Sequence, residues 1–190
     1  MRISAGKFKN RNLVFVSNET TRPTASVVRE ALFSKIQLSL EGKIFLDLFS
    51  GSGSVGIEAL SRGAKKVYFV EKNRKNAEMI KQNLENCKAS KDEFEIDVCD
   101  YVSMLGQTNE KFDFVYMDPP YKNLEFYLAA AKILKERNLL NNDALLICEH
   151  DAKQEILLPS FSLISRKKYG IKMLSYFILD LETQPLPNSD

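Results

Sequence analysis

The chain has 190 residues, 44% hydrophobic and 27% charged, the balance of a globular protein with one domain-sized core. No apolar run approaches the roughly 18 residues that a membrane helix needs. The opening stretch is basic and interrupted, so no secretory leader is expected and the chain is assigned to the cytoplasm. Cys87, Cys99 and Cys148 form no CxxC pair, and His150 is the only histidine, which argues against disulfide frameworks, zinc cages and Ser-His-Asp triads. No metal is expected. The net charge of +2 is uneven: residues 1–43 carry eight Lys/Arg against three Glu, and Phe161–Leu179 holds Arg166, Lys167, Lys168 and Lys172 with no acid. Such asymmetry suits a polyanion partner or a solvated face.

In chain order, residues 1–23 read as a short basic arm or hairpin, with Ile3, Phe8, Leu13 and Phe15 set between Gly6 and Asn10. Thr24 precedes an apolar-periodic run (Val27, Val28, Ala31, Leu32, Ile36) and reads as the N-cap of a helix. From Lys43 short apolar runs alternate with helical stretches. Strands are predicted at 44–48, 66–71, 94–98, 112–117 and 144–149, with helices at 55–61, 73–86 and 124–137. That alternation implies a doubly wound, mostly parallel α/β sheet. Phe161–Tyr169 and Lys172–Asp180 are strand-like runs separated only by Gly170-Ile171, so they must close the sheet as an antiparallel hairpin. The domain is assigned to 24–181, followed by a flexible tail over 182–190.

After the first sheet strand comes DLFSGSGSVGIEAL, containing Gly51-x-Gly53-x-x-Gly56. Glycines here let the backbone turn sharply and approach a ligand at the following helix N-terminus. Glu71, twenty residues after Gly51, ends the second strand and can accept hydrogen bonds from ribose hydroxyls. Asp47, four residues before Gly51, should face the same crevice, where it would repel a pyrophosphate. It would attract the ammonium and sulfonium of S-adenosylmethionine, which is therefore favoured over a dinucleotide. Asp100 is placed to accept from the adenine amino group, or else simply caps a turn.

The fourth strand runs into Asp118-Pro119-Pro120-Tyr121. Two prolines stiffen this turn at the edge where open α/β sheets bind ligands. The Asp118 carboxylate and the Pro119 carbonyl form a rigid pair of acceptors for an –NH2 group, and Tyr121 offers a face for stacking a base. An amino nitrogen of a nucleobase is a poor nucleophile. Accepting both its N–H bonds holds it against a methyl donor, and the surplus proton appears only as the new N–C bond forms.

MRISAGKFKNRNL, TRPTASVVREALFSKI, DLFSGSGSVGIEALSRGA, Glu71 and FDFVYMDPPY together resemble the bacterial RsmD-type guanine-N2 methyltransferases of 16S ribosomal RNA, over nearly the whole chain. The resemblance implies S-adenosylmethionine as cofactor, a seven-stranded Rossmann-like sheet, and methylation of one guanine amine in the small ribosomal subunit or an assembly intermediate. Two departures stand out: Asn10 where that family usually has glycine, and Ala25-Ser26-Val27 where Ser-Asp-Arg is common. Expected roles are catalysis by Asp118, Pro119 and Tyr121, cofactor binding by Asp47, Gly51, Gly53, Glu71 and Asp100, and RNA contacts by Lys7, Lys9, Arg11, Arg22 and Arg29. An adenine amine, a glutamine amide, and an RNA-binding module without catalysis are the alternatives.

Overall fold

A computed structural model describes residues 1–15, 23–120 and 123–180. Arg22, Tyr121 and the tail expected over 182–190 lie outside them. The apolar runs form strands β1 (Ile44–Asp47), β2 (Lys66–Val70), β3 (Phe94–Asp97), β4 (Phe112–Met117), β5 (Leu140–Asp151), β6 (Phe161–Tyr169) and β7 (Lys172–Leu179). They lie in one sheet of order β3-β2-β1-β4-β5-β7-β6, with β7 antiparallel to both β5 and β6. Helices are α1 (Pro23–Leu40), α2 (Ser54–Ser61), α3 (Arg74–Cys87), α4 (Tyr101–Gln107) and α5 (Glu125–Glu136).

The central strands β1, β2 and β4 are largely apolar because both faces of the sheet are covered there. Phe45, Val67, Phe69, Phe114 and Tyr116 pack towards α1, α2 and α3. Their alternating neighbours Leu46, Tyr68, Val70, Val115 and Met117 pack towards α4 and α5. Gly56 lets α2 lie close on the sheet: a Cβ there would come within 2.3 Å of the Phe69 ring. The chain leaves β1 towards β2 and β3 and returns to the other side of β1 with β4, so the order reverses between β1 and β4. A crevice opens above their carboxyl ends, the usual ligand position in open α/β sheets.

Three expectations change. Thr24 is not an N-cap, because α1 already begins at Pro23, a residue suited to a first helical turn. β5 starts at Leu140, before the predicted Ala144. A helix absent from the sequence reading, α4, follows β3 with Asp100 as its N-cap.

Residues 1–15 form a hairpin, closed by an antiparallel bridge between Arg2 and Asn12 and packed onto the domain. Ile3, Phe8 and Leu13 are buried in the same core as α1 and α2. Gly6, at φ +83°, lies so close to α2 that a Cβ would fall 1.7 Å from the Ser61 carbonyl oxygen. Buried Glu58 of α2 accepts from Ser4 N (3.1 Å), Ser4 Oγ (2.7 Å), Ala5 N (3.2 Å) and Arg62 Nε (2.8 Å). Because α2 runs downward from the carboxyl edge, contact with its last residue puts the hairpin tip at the amino edge.

Candidate active site

The crevice is a cavity of about 640 Å³ lined by the glycine loop and by the carboxyl ends of β1, β2 and β4. At its floor Asp47 is only 1% exposed. Its Oδ2 accepts from Gly56 N at 3.0 Å, while Oδ1 is buried with no hydrogen-bond partner among the described residues. Burial pushes this carboxyl up to about 7, and the nearby Asp118 and Glu71 carboxylates push the same way. An orphaned acceptor in a carboxylate-rich pocket disfavours a pyrophosphate and favours a cationic ligand.

Glu71 faces the loop. Its Oε2 accepts from Gly51 N (2.9 Å) and its Oε1 from Asn73 N (2.7 Å), so the carboxylate is fixed in place with lone pairs to spare. Gly51 lines the cavity at φ +52°, beside Ser52 and Ser54. Gly53 does not line it. At φ +74° it begins α2, and a Cβ there would lie 3.0 Å from the Ile80 side chain, so its part is to shape the turn. Asp100 lines the cavity, yet both its oxygens are engaged by Ser103, from N at 2.9 Å and from Oγ at 2.8 Å. It caps α4, and like Glu71 it keeps lone pairs to spare on the cavity side.

Sequence reasoning missed an aromatic wall. Phe49, Tyr101 and Phe126 form a triangle with ring centroids 5.3, 5.8 and 5.9 Å apart, all three lining the cavity. The loop, α4 and α5 each contribute one ring, so no single motif announces it.

Asp118 and Pro119 line the opposite side, with the Asp118 side chain 38% exposed. Lys172, at the start of β7, reaches across to Asp118 Oδ1 (3.2 Å) and Glu149 Oε1 (2.8 Å). Burial alone would lower its pKa, but these two carboxylates raise it above the usual lysine value. Glu149 Oε2 in turn accepts from Tyr116 O–H at 2.5 Å, and Tyr127 O–H donates to the Glu149 carbonyl at 2.6 Å. The sequence left Lys172 among the basic residues of the last hairpin. Only the insertion of β7 beside β5 brings it to the DPP turn. His150 is buried between Ser175 Oγ (2.9 Å) and the Asp151 carbonyl (3.0 Å) and does not line the cavity. Among the described residues no group of three or more His, Cys, Asp or Glu is arranged to hold a metal ion.

Residues 1–178 match the family model described as "Conserved hypothetical protein 95". The chain is 36% identical to ribosomal RNA small subunit methyltransferase D of Haemophilus influenzae, over 90% of each protein. Among solved structures it is similar to Haemophilus influenzae HI0767 (33% identical, TM-score 0.79) and Escherichia coli yhhF (25% identical, TM-score 0.84), each over 96% of this chain and 99% of the other.

The chain belongs to the RsmD-type small-subunit rRNA methyltransferase family. It has the S-adenosylmethionine-dependent methyltransferase fold typical of that family. Asn10, which stands where the family usually has glycine, sits at φ +71°, a left-handed conformation that asparagine tolerates better than most residues. The departure at Val27 falls on the surface, where the side chain is 52% exposed.

The residues expected to touch RNA separate. Arg29 is buried at 4% exposure, with Nη2 donating to the Arg2 carbonyl at 2.8 Å and Nε 3.5 Å from Glu58. It pins the hairpin to α1 and offers nothing to a phosphate, which corrects that expectation. Lys7, Lys9 and Arg11 are exposed near the hairpin tip, and Lys7 pairs with Glu93 just before β3. They therefore lie towards the amino edge, away from the cavity. Met1 and Phe15, at the other end of the hairpin, line the cavity.

Proposed function

We propose that the protein transfers a methyl group from S-adenosylmethionine to the exocyclic N2 amine of a guanine in 16S ribosomal RNA. The observation that carries this reading is the partnerless, buried Oδ1 of Asp47 on the floor of a cavity whose lip holds Asp118. The small-subunit RNA named for the Haemophilus influenzae relative supports the choice of acceptor.

When bound, the cofactor supplies an electrophilic methyl on a sulfonium. Asp47 accepts a charge-assisted hydrogen bond from the methionine ammonium, satisfying the orphaned oxygen. Glu71, preoriented by Gly51 and Asn73, accepts from the ribose hydroxyls. The Phe49–Tyr101–Phe126 wall would flank the adenine, with Asp100 at the head of α4 to accept from its amino group. Gly51 and Ser52 keep the loop thin enough for the ligand to approach.

On the substrate side, the guanine leaves its stack to reach the pocket. Asp118 and the Pro119 carbonyl accept the two N–H bonds of the amine, and Tyr121 stacks on the base. Lys172 orients the Asp118 carboxylate. As the N–C bond forms, the methyl–sulfur bond would break with its electron pair staying on sulfur as a neutral thioether, and the surplus proton of the amine passes to Asp118, which is open to solvent and releases it. Lys9 and Arg11 then meet RNA at a distance from the pocket, in the small subunit or an assembly intermediate.

The test in cells is nucleoside analysis of 16S RNA with and without this gene. Loss of one N2-methylguanosine, restored by the wild type and not by Asp118→Ala, is expected. An unchanged N2-methylguanosine content with a lost methyladenine would transfer the reading to an adenine amine.

A further inference from the structure

We propose that the outer edge of the sheet, strand β6 with Lys35 of α1, is a track that binds the phosphate backbone of the RNA beside the active site. The inference rests on RNA being the substrate.

Among the described residues β6 pairs only with β7, and its other side carries no strand. Its direction matters. β7 is antiparallel to β5 and β6 is antiparallel to β7, so β6 runs with β5 and ends at the carboxyl edge. Arg166, Lys167 and Lys168 therefore climb towards the cavity. Lys168 lies opposite Met173, the residue next to Lys172, whose Nζ is 3.2 Å from Asp118. The basic island thus lies one strand beyond Lys172, which lines the cavity.

The island is also electrostatically available. All three side chains are exposed, and among the described residues neither Lys167 nor Lys168 has a carboxylate partner. Arg166 pairs with Glu155 at 3.4 Å, an exposed contact of the kind that is worth little. No acid occurs between Phe161 and Leu179. On the α1 side, Lys35 and Lys167 flank a second, shallow cavity of about 310 Å³ with Ser34, Ser165 and Tyr169. Lys35 donates to Ser165 Oγ at 3.3 Å and sits over the Tyr176 ring at 4.9 Å, which holds its charge at the groove. Cations, hydroxyls and a half-buried ring in one groove fit a sugar–phosphate chain.

Basic residues also keep bare sheet edges from pairing with other chains, and that function alone would need no RNA. Position separates the two. Edge protection needs charge anywhere along β6. Here Ser162, Leu163 and Ile164 leave the amino-edge half without charge while the cations gather at the active-site end.

The test uses the full chain and a 16S RNA fragment carrying the target guanine. Affinity is measured against salt concentration for the wild type, for Arg166→Gln/Lys167→Gln/Lys168→Gln, and for Lys35→Gln/Lys167→Gln, which keeps two edge cations. Each phosphate contact contributes about 0.7–0.9 to the slope of log affinity against log salt. The triple variant should lose about 2.1–2.7 from that slope and the double variant about 1.4–1.8, with S-adenosylmethionine affinity unchanged in both. Unchanged slopes, or affinity lost without loss of slope, overturn the track and leave edge protection as the role of these residues. A wild type that does not bind RNA overturns the substrate reading and the track together.

Discussion

Replacing Asp47 by asparagine should make the ligand-free protein more stable and its cofactor binding weaker. Burial, with Asp118 and Glu71 nearby, raises the Asp47 carboxyl from 3.8 to about 7, so the folded state holds this proton more tightly than the unfolded chain does. The stability linked to it is intact below about pH 4, falls as pH rises towards 7, and is lost above. A shift of roughly three units corresponds to at most about 4 kcal/mol. The asparagine side chain would keep an acceptor for Gly56 N and carry no charge. At about 2–4 °C per kcal/mol for a chain of this size, Tm should rise by up to ~8–16 °C near pH 8 and hardly change near pH 4. A cationic ligand reverses the effect. Because it binds ionised Asp47, wild-type affinity for S-adenosylmethionine should rise about tenfold per unit up to pH ~7 and then level off. Removing one partner of a buried charge pair costs about 2–5 kcal/mol, so the variant should bind ~30-fold weaker or worse near neutral pH, with little pH dependence. Thermal unfolding without ligand and calorimetric titration with it, from about pH 5 to 8, read both quantities. A pH-independent wild-type affinity, or a variant that binds equally well, would refute the assignment of Asp47.

Asp118→Ala should lower methyl transfer about a hundredfold or more, judged from the loss of single positioned polar groups, and leave cofactor affinity near wild type. Lys172→Met should lower kcat about tenfold or more, because Asp118 loses the cation that orients it, and Lys172→Arg should recover part of the loss. Steady-state kinetics on the RNA acceptor check both, and wild-type turnover in either would remove that residue from the mechanism. Glu58→Gln breaks a buried pair and should cost about 3–5 kcal/mol. The denaturation midpoint should fall, with faster amide exchange over residues 3–13, and an unaltered midpoint would show that Glu58 does not hold the hairpin.

The sheet was legible because its central strands carry apolar residues on both faces, a pattern that Val67–Val70 shows most plainly. The glycine loop, Asp47, Glu71 and Asp118 were legible because chemistry and spacing coincide within short segments. α4 was missed because its seven residues YVSMLGQ include Gly106 and bury only Met104 and Leu105, too little for a helical period. The Asp100-to-Ser103 cap was the signal available. Charge misled where burial decides: Arg29 is apparent in the sequence as a cation, but only tertiary structure shows that Glu58 and the hairpin enclose it. The link between Lys172 and Asp118, 54 residues apart, depends on β7 entering the sheet between β5 and β6.

The most direct test of the account is transfer of labelled methyl from S-adenosylmethionine to 16S RNA, assembled small subunits and duplex DNA, followed by digestion to nucleosides. The RNA and subunits come from cells lacking this gene. The account predicts label in N2-methylguanosine, in an RNA acceptor and not in DNA, and its loss in Asp118→Ala. Label in methyladenine, or no label in any acceptor from a protein that binds the cofactor, would contradict it.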